Sequence, residues 1–484
     1  MFFKNQITVL FAFVILLFFH STGRAQHITA KKGSFGVDET HKLIVWHHSN
    51  LDALNGKKAK TINFNDTFEI ADNTTDFSYS TSFKVSKSGE IYDLYITRLP
   101  LVHIALDTTV MTKDKKRPGH FTYFNKNTYQ ESAMGIRIRG NLSLTFPKKS
   151  YDIEFRTDTI SKISKDLKFE GMRSDDDWIL DGLYNEPLKL RSTIATGLWS
   201  DIHKPYYQTK EPKAQNGFDV DYVELFRNGE YVGLYALSES VDRKQLKLKK
   251  NKGSTVRGEL FKANSYDGGP EFKKITKAYD NLFPHFTGFR MEYPIIDYKS
   301  YWDDLAQLLD LVINQSDAVF SEQIEEKFNV TNAIDYFIFV NVMRASDNLG
   351  KNYYLAKYDT KEPYFFVPWD LDGSFGVILE GRRVPNTKGL LSNGLFDKLM
   401  ATDTNDYKNK LKTRWASLRQ NELSTERLLQ LFQTRYQQFT NEKIYERDQR
   451  LWPKQTTNEE DWDYLKSWLN ERMSILDTEF SNLD

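Results

Sequence analysis

From His27 to about Arg98 the chain alternates apolar and polar positions in short runs, among them Leu43-Ile44-Val45-Trp46 and Phe83-Lys84-Val85, with Gly- and Asn-bearing turns between. Such alternation sends successive side chains to opposite faces of a sheet, so residues 27–98 are expected to form a small accessory all-β domain. The adjacent pair His47-His48 is the one metal-flavoured feature there. Neighbouring histidines in a strand point to opposite faces, which argues against a shared metal. Past Leu99 the pattern is mixed. Strand-like runs flank a glycine turn at Gly140, and Asp221–Arg227 and Glu230–Glu239 are separated by Asn228-Gly229, a strong two-residue hairpin signal. Between them Leu190, Ile194, Gly197 and Leu198 recur at helical spacing. Helical spacing then dominates from Lys299 onward, in Trp302–Val312, Asn332–Arg344, Tyr407–Arg419, Thr425–Phe439 and Trp462–Phe480. The expected class is α+β: a β domain to residue 98, an α+β lobe over 99–298 and a mostly helical lobe over 299–484.

The amino terminus changes the compartment. Lys4, the apolar run Ile7–Phe19 and the small-residue exit ending at Ala25 predict a secretory signal peptide over 1–25. The run is shorter than the roughly 20 residues a bilayer requires, so no stable membrane anchor is expected after cleavage and the protein is placed in the periplasm or beyond. The chain has no cysteine, so it has neither disulfides nor a lipid-modified cysteine, and its fold rests on packing. Acidic and basic residues balance at 66 each, which gives no basic footprint for nucleic acid. Hydrophobic residues at 40% exclude a disordered chain. The aromatic share of 14% reads as sheet core before it reads as sugar-binding platforms.

Chemistry concentrates in ordered segments. Arg139-Gly140-Asn141 leads through Ser143 to Pro147-Lys148-Lys149-Ser150-Tyr151; a strand, tight turn and strand of this kind brings backbone N–H groups and a lysine to a phosphate chain. A surface hairpin with solvated lysines has the same pattern. Arg191 lies at the edge of the helical face at Leu190–Leu198, where an arginine either forms a structural ion pair or faces a phosphate, and Glu239 ends the outgoing strand of the Asn228-Gly229 hairpin. Asp347 and Asn352 have D-x-x-x-x-N spacing, in which a carboxylate orients an attacking hydroxyl and an amide oxygen holds a metal. Asp370 and Asp372 follow after a short hairpin and offer the oxygen ligands that hard divalent cations need. Each part occurs by chance or as an ordinary turn; the order and separation of the parts carry the reading.

Together these segments resemble the CotH kinase family, known from bacterial spore-coat kinases and widespread in secreted bacterial proteins. The resemblance runs from about Leu99 to the end: RGN-x-S and PKKSY at Arg139, DW-x-L and L-x-LR at Trp178 to Arg191, the VELF-x-NGEYVGLY hairpin, the loop at Asp347, and PWDLD-x-x-FG at Pro368. It implies a two-lobed atypical protein-kinase-like fold, with ATP and Mg²⁺ or Mn²⁺ as cofactors. It also implies Asp347 as catalytic aspartate, Asn352 as metal ligand, and Asp370 as principal metal aspartate with Asp372 beside it. Lys149, or its neighbour Lys148, is implied to pair the α- and β-phosphates; Arg139 and Arg191 are further candidates for the nucleotide side. Glu239 either contacts the nucleotide or pairs with the lysine. The implied activity is transfer of the γ-phosphoryl of ATP to Ser or Thr of co-exported proteins, in the cell envelope or extracellular matrix. Because ATP is scarce outside the cytoplasm, a catalytically silent binding or assembly module using the same cleft is the alternative.

Overall fold

Asn228 and Gly229 both take positive φ, 51° and 85°, the conformation a two-residue hairpin turn demands. The strands they join, Val220–Arg227 and Glu230–Glu239, pair antiparallel as the sequence predicts. In the computed structural model, which describes residues 26–55, 59–70, 76–107, 110–276, 284–296, 301–379, 381–455 and 457–483, this hairpin is part of a closed barrel. The other five strands of the barrel are Leu101–Leu106, Arg117–Asn125, Thr128–Arg139, Ser150–Arg156 and Asp177–Asp181. Alternate residues fill its interior: Tyr151, Ile153 and Phe155 from one strand meet Trp178, Leu180, Tyr235 and Leu237 from its neighbours. The expected signal peptide over 1–25 lies outside the described residues.

The described residues before Leu101 form a separate seven-stranded sheet, with Gln26–Thr29 parallel to Ala59–Phe64 and Leu43–His47 parallel to Glu90–Thr97. Strand Leu43–His47 is buried along its whole length because both faces are covered. Ile44 and Trp46 enter the sheet's own core, while Leu43 and Val45 pack with Tyr95 against Leu101, Phe226 and Tyr231 of the barrel. His47 is structural: its ring nitrogens meet Leu99 O at 2.7 Å and Lys126 N at 2.8 Å.

A five-stranded sheet supports the remainder, in the order His285–Phe286, Phe289–Tyr293, Glu259–Ala263, Tyr353–Lys357, Tyr364–Pro368. The expected lobe boundary at residue 298 runs through this sheet, since Glu259–Ala263 pairs with Tyr353–Lys357. The chain is thus a mixed α and β protein with nine α-helices among the described residues. Helix Val330–Met343 is central: every residue from Asn332 to Met343 is buried, so it is apolar all round except for Asn332, Asp335 and Asn341, which are hydrogen-bonded inside. Each large apolar side chain there contributes about 1.5–3 kcal/mol, which fixes the helix end that feeds the loop at Asp347. Two devices refine that end. Arg344 turns left-handed at φ 53°, a common helix stop. Arg472, buried on helix Glu459–Ser481, donates to Asn341 O at 2.9 Å and Thr387 O at 2.6 Å.

Candidate functional site

The loop after helix Val330–Met343 forms a 3₁₀ turn at Ser346–Leu349 and is tied down by a buried asparagine. Asn348 Nδ2 donates to Asn352 O at 2.7 Å and Trp369 O at 2.8 Å, while its own carbonyl accepts Tyr336 Oη at 2.8 Å. Trp369 N donates to Asn352 O at 3.1 Å. Tyr353 pairs with Pro368 across the hairpin, so Asn352 and Asp370 leave its open end together. Both are left-handed, at φ 59° and 57°. Asn and Asp tolerate that region better than other non-glycine residues, and such conformations cluster where side chains are held for function.

Three carboxylates converge past that open end. Asp370 has an exposed surface, yet the protein packed around it pushes its carboxyl pKa up, as does Asp181. That accessible surface lets a ligand reach the carboxylate. Arg139, Lys262 and Lys351 act in the opposite direction on Asp370. Asp372 is pushed up to about 8, by burial first and then by Asp370 and Asp181, and accepts a hydrogen bond from Asn185 Nδ2. Asp181 ends barrel strand Asp177–Asp181 and accepts Ser150 Oγ and Leu183 N, each at 3.1 Å.

The cations opposite come from different elements. Arg139 ends barrel strand Thr128–Arg139 and lies over the Trp369 ring at 5.9 Å. The chain leaves it through Gly140 at φ 111°, where a Cβ would stand 1.7 Å from Ser143 Oγ, so only glycine permits this exit. Lys262, in the middle of the five-stranded sheet, sits over Tyr354 at 5.6 Å and Trp369 at 5.5 Å. Among the described residues its ammonium has no ion pair within 4.0 Å, and burial, with Arg290 and Arg139, draws its pKa down. Lys351 pairs with Asp347 at 2.8 Å. Asp347, whose side chain is 38% exposed, also accepts a hydrogen bond from Tyr266 Oη at 2.9 Å. Mutually repelling carboxylates beside Arg139 and Lys262, which have no ion pair among the described residues, form a complementary setting for a divalent ion and a phosphate chain, acids toward the ion and cations toward the phosphates.

The structure brings Arg139, Asp370 and Asp372 together, with Asn352 at the same hairpin end and Asp347 linked through Lys351. It does not bring the other expected residues there. Lys148 is buried, donating to Leu234 O at 2.6 Å and Asp448 Oδ1 at 2.8 Å. Lys189, at 3.5 Å, and Leu234 N, at 2.8 Å, also serve Asp448. Burial first, and then the neighbouring Lys189, draws Lys148 down to about 8 against the pull of Asp448, while the two lysines hold the Asp448 carboxyl below the usual carboxylate range. Lys149 donates to Leu144 O at 2.7 Å and Phe146 O at 2.5 Å. Arg191 is buried, pairing with Glu186 and donating to Phe375 O at 3.2 Å, and so buttresses the segment after Asp372. Glu239 accepts Arg173 N at 2.7 Å, Asp219 N at 3.0 Å and Gln245 Nε2 at 2.6 Å; burial raises its pKa. Asp181, Asn185, Lys262, Asn348 and Lys351 were not singled out by sequence reasoning. Asp181 and Lys351 lie inside the quoted segments, but nothing local marks Lys262.

Two other features draw attention and do not share this chemistry. Asp166, Asp175 and Asp176 bring carboxylate oxygens within 4.8 Å of one another, but Arg173 and Lys244 pair with Asp175. A cavity of about 270 Å³ lined by Phe35, Phe64, Phe68, His103 and Phe226 shares no residue with the carboxylate recess; Lys87 neutralises Glu39 and Asp66 at its rim.

A recess that pairs carboxylates with partner-poor cations defines a class of site, one suited to a cation-bound polyphosphate. Residues 136–476 match the family described as CotH kinase protein, well over half of the 484-residue chain, and the protein belongs to that family. No curated protein matches the chain.

Proposed function

We propose that this protein is an exported phosphotransferase that moves the γ-phosphoryl group of ATP to Ser or Thr of proteins in the cell envelope or matrix. Its kinase-like body is read as two lobes, 99–298 and 299–484, that share the five-stranded sheet across their boundary, with 27–98 as an accessory β domain. One observation carries the reading: Asp370 and Asp372 share a recess with Arg139 and Lys262, beside a loop whose Asp347 is held by Lys351. Arg139 and Lys262 hold the phosphate chain, the role first expected of Lys148 or Lys149. Asp370, Asp372 and the Asn352 amide oxygen would hold Mg²⁺ or Mn²⁺, which would supply the charge that neutralises the phosphates. Asp347 orients the acceptor hydroxyl and takes its proton, a contribution typically worth 10²–10⁴ in rate. Export follows from the leader-like segment over 1–25; no helix of the described residues is long and apolar enough to cross a membrane.

The test is ligand-linked stability. Binding to the folded state alone stabilises it by about 2.7 kcal/mol at a hundred times the Kd, so ATP with Mn²⁺ raises the melting temperature of the wild type. Asp370→Ala removes a ligand from an exposed position and leaves the fold intact, and the ligand-induced rise disappears. An equal rise in the variant overturns the assignment.

A further inference from the structure

Tyr266 does what an acceptor is expected to do. Its phenol donates to Asp347 Oδ1 at 2.9 Å and approaches Ser346 O at 3.5 Å, so its oxygen is already on the carboxylate that receives the acceptor's proton. The ring packs against the loop, where a Cβ added to Gly350 would meet it at 2.3 Å. Lys351 sits over its face at 5.5 Å. The segment carrying it is anchored, since Asn264 N and Ser265 N both donate to Gly288 O, at 2.9 and 3.2 Å. Tyr266 is nevertheless 50% exposed. Burial and the Asp347 charge raise its pKa, which keeps the hydroxyl protonated and donating.

We infer that Tyr266 is a phosphoryl acceptor in its own active site, modified within one molecule before or between turnovers on other proteins. The inference rests on the phosphotransferase reading above. In the step, the Tyr266 oxygen forms a bond to the γ-phosphorus of ATP and the bond from that phosphorus to the β–γ bridging oxygen breaks. ADP leaves, and the phenol proton passes to the Asp347 carboxylate. The product is a phosphotyrosine whose dianion no longer suits Asp347. Like-charge repulsion then swings the ring off Gly350 and uncovers Asp347 for an outside hydroxyl. Holding the acceptor on the base makes the reaction effectively unimolecular, so its rate is independent of protein concentration.

The experiment incubates the full mature chain with ATP and Mn²⁺ at several protein concentrations and maps phosphate by peptide mass spectrometry. Phosphate is expected on Tyr266, first-order in protein, lost in Tyr266→Phe and reduced by about 10² or more in Asp347→Asn. Gly350→Ala provides a second variant, because its added methyl displaces the ring while the phenol remains. Label on Tyr266 then falls relative to label on an added protein acceptor. A readout without nucleotide accompanies it: nitration of Tyr266 by tetranitromethane, which attacks the phenolate, is faster in Asp347→Asn than in wild type. Phosphate on other residues or on an added acceptor with Tyr266 bare overturns this inference alone. So does unchanged nitration. Absence of transfer to any acceptor overturns it together with the phosphotransferase reading.

Discussion

Replacing Asp372 by Asn should make the ligand-free protein more stable and the ligand-bound protein less so. The folded chain keeps a proton on Asp372 up to about pH 8, whereas an unperturbed aspartate releases it near 3.8. The folded pKa is the raised one, so its contribution to stability is complete below 3.8 and is lost as pH rises through about 8. At pH 7 the mismatch covers roughly three pH units at about 1.4 kcal/mol each, or about 4 kcal/mol. Asp372 is only half-buried, and water screening reduces that figure to about 1–2 kcal/mol. The amide of Asn keeps an oxygen that accepts from Asn185 but cannot ionise beside Asp370 and Asp181. For a chain of this length the gain is about 1–4 °C in Tm. Thermal melts of wild type and Asp372→Asn from pH 4 to pH 8, in chelator, check it: the curves coincide at the acid end and separate as pH rises, with the variant above. Adding ATP and Mn²⁺ reverses the order, because only the wild type offers both carboxylates. A variant that melts below wild type at pH 8 in chelator, or a gap widest at pH 4, refutes the view that Asp372 is held under repulsion for a cation.

Two further substitutions separate binding residues from supports. Lys262→Met removes a charge from the recess and weakens nucleotide affinity by about 10–100-fold, the scale of one charge-assisted contact, as calorimetric titration measures; Lys149→Met, whose ammonium serves carbonyls, changes it much less, and the opposite order contradicts the assignment. Asp448→Asn leaves Lys148 without its counter-charge and costs about 3–5 kcal/mol in a denaturant melt, with nucleotide affinity of the folded fraction unmoved; a large loss of affinity at unchanged stability shows that Lys148 binds ligand after all.

What could be read in advance followed local physics. The Asn228-Gly229 hairpin was legible because two positive φ values leave few residue choices, and helix Val330–Met343 because an apolar run of that length has few other homes. Helix Asp317–Lys327 escaped notice since only Phe320 and Ile324 are buried on it, too few to set a period. Closure of the barrel was hidden for another reason: Leu101–Leu106 pairs with Val220–Arg227, and a sequence gives no sign of which distant strands will meet. The same limit explains the lysines. Alternation in a strand said that one of Lys148 and Lys149 could face a nucleotide, but Asp448, 300 residues away, claims the first, and the carbonyls of Leu144 and Phe146 claim the second. Lys262 reaches the recess only because the five-stranded sheet joins Glu259–Ala263 to Tyr353–Lys357. The loop at Asp347 and the hairpin end that carries Asn352 and Asp370 were legible because spacing along the chain sets a loop, a hairpin and a strand end in one stretch.

The central claim is that the recess performs phosphoryl transfer with Asp347 as base, and Asp347→Asn tests it most directly. The amide keeps the size of the carboxylate and can still face Lys351 and Tyr266, but it cannot take a proton. A group that acts on the acceptor in the transition state changes turnover and leaves ground-state binding nearly untouched. Transfer of labelled γ-phosphoryl from ATP with Mn²⁺, measured beside nucleotide affinity on the same samples, should fall by about 10² or more while the Kd barely moves. A wild type that binds ATP and Mn²⁺ yet labels no acceptor, itself included, contradicts the account and identifies the recess as a binding module.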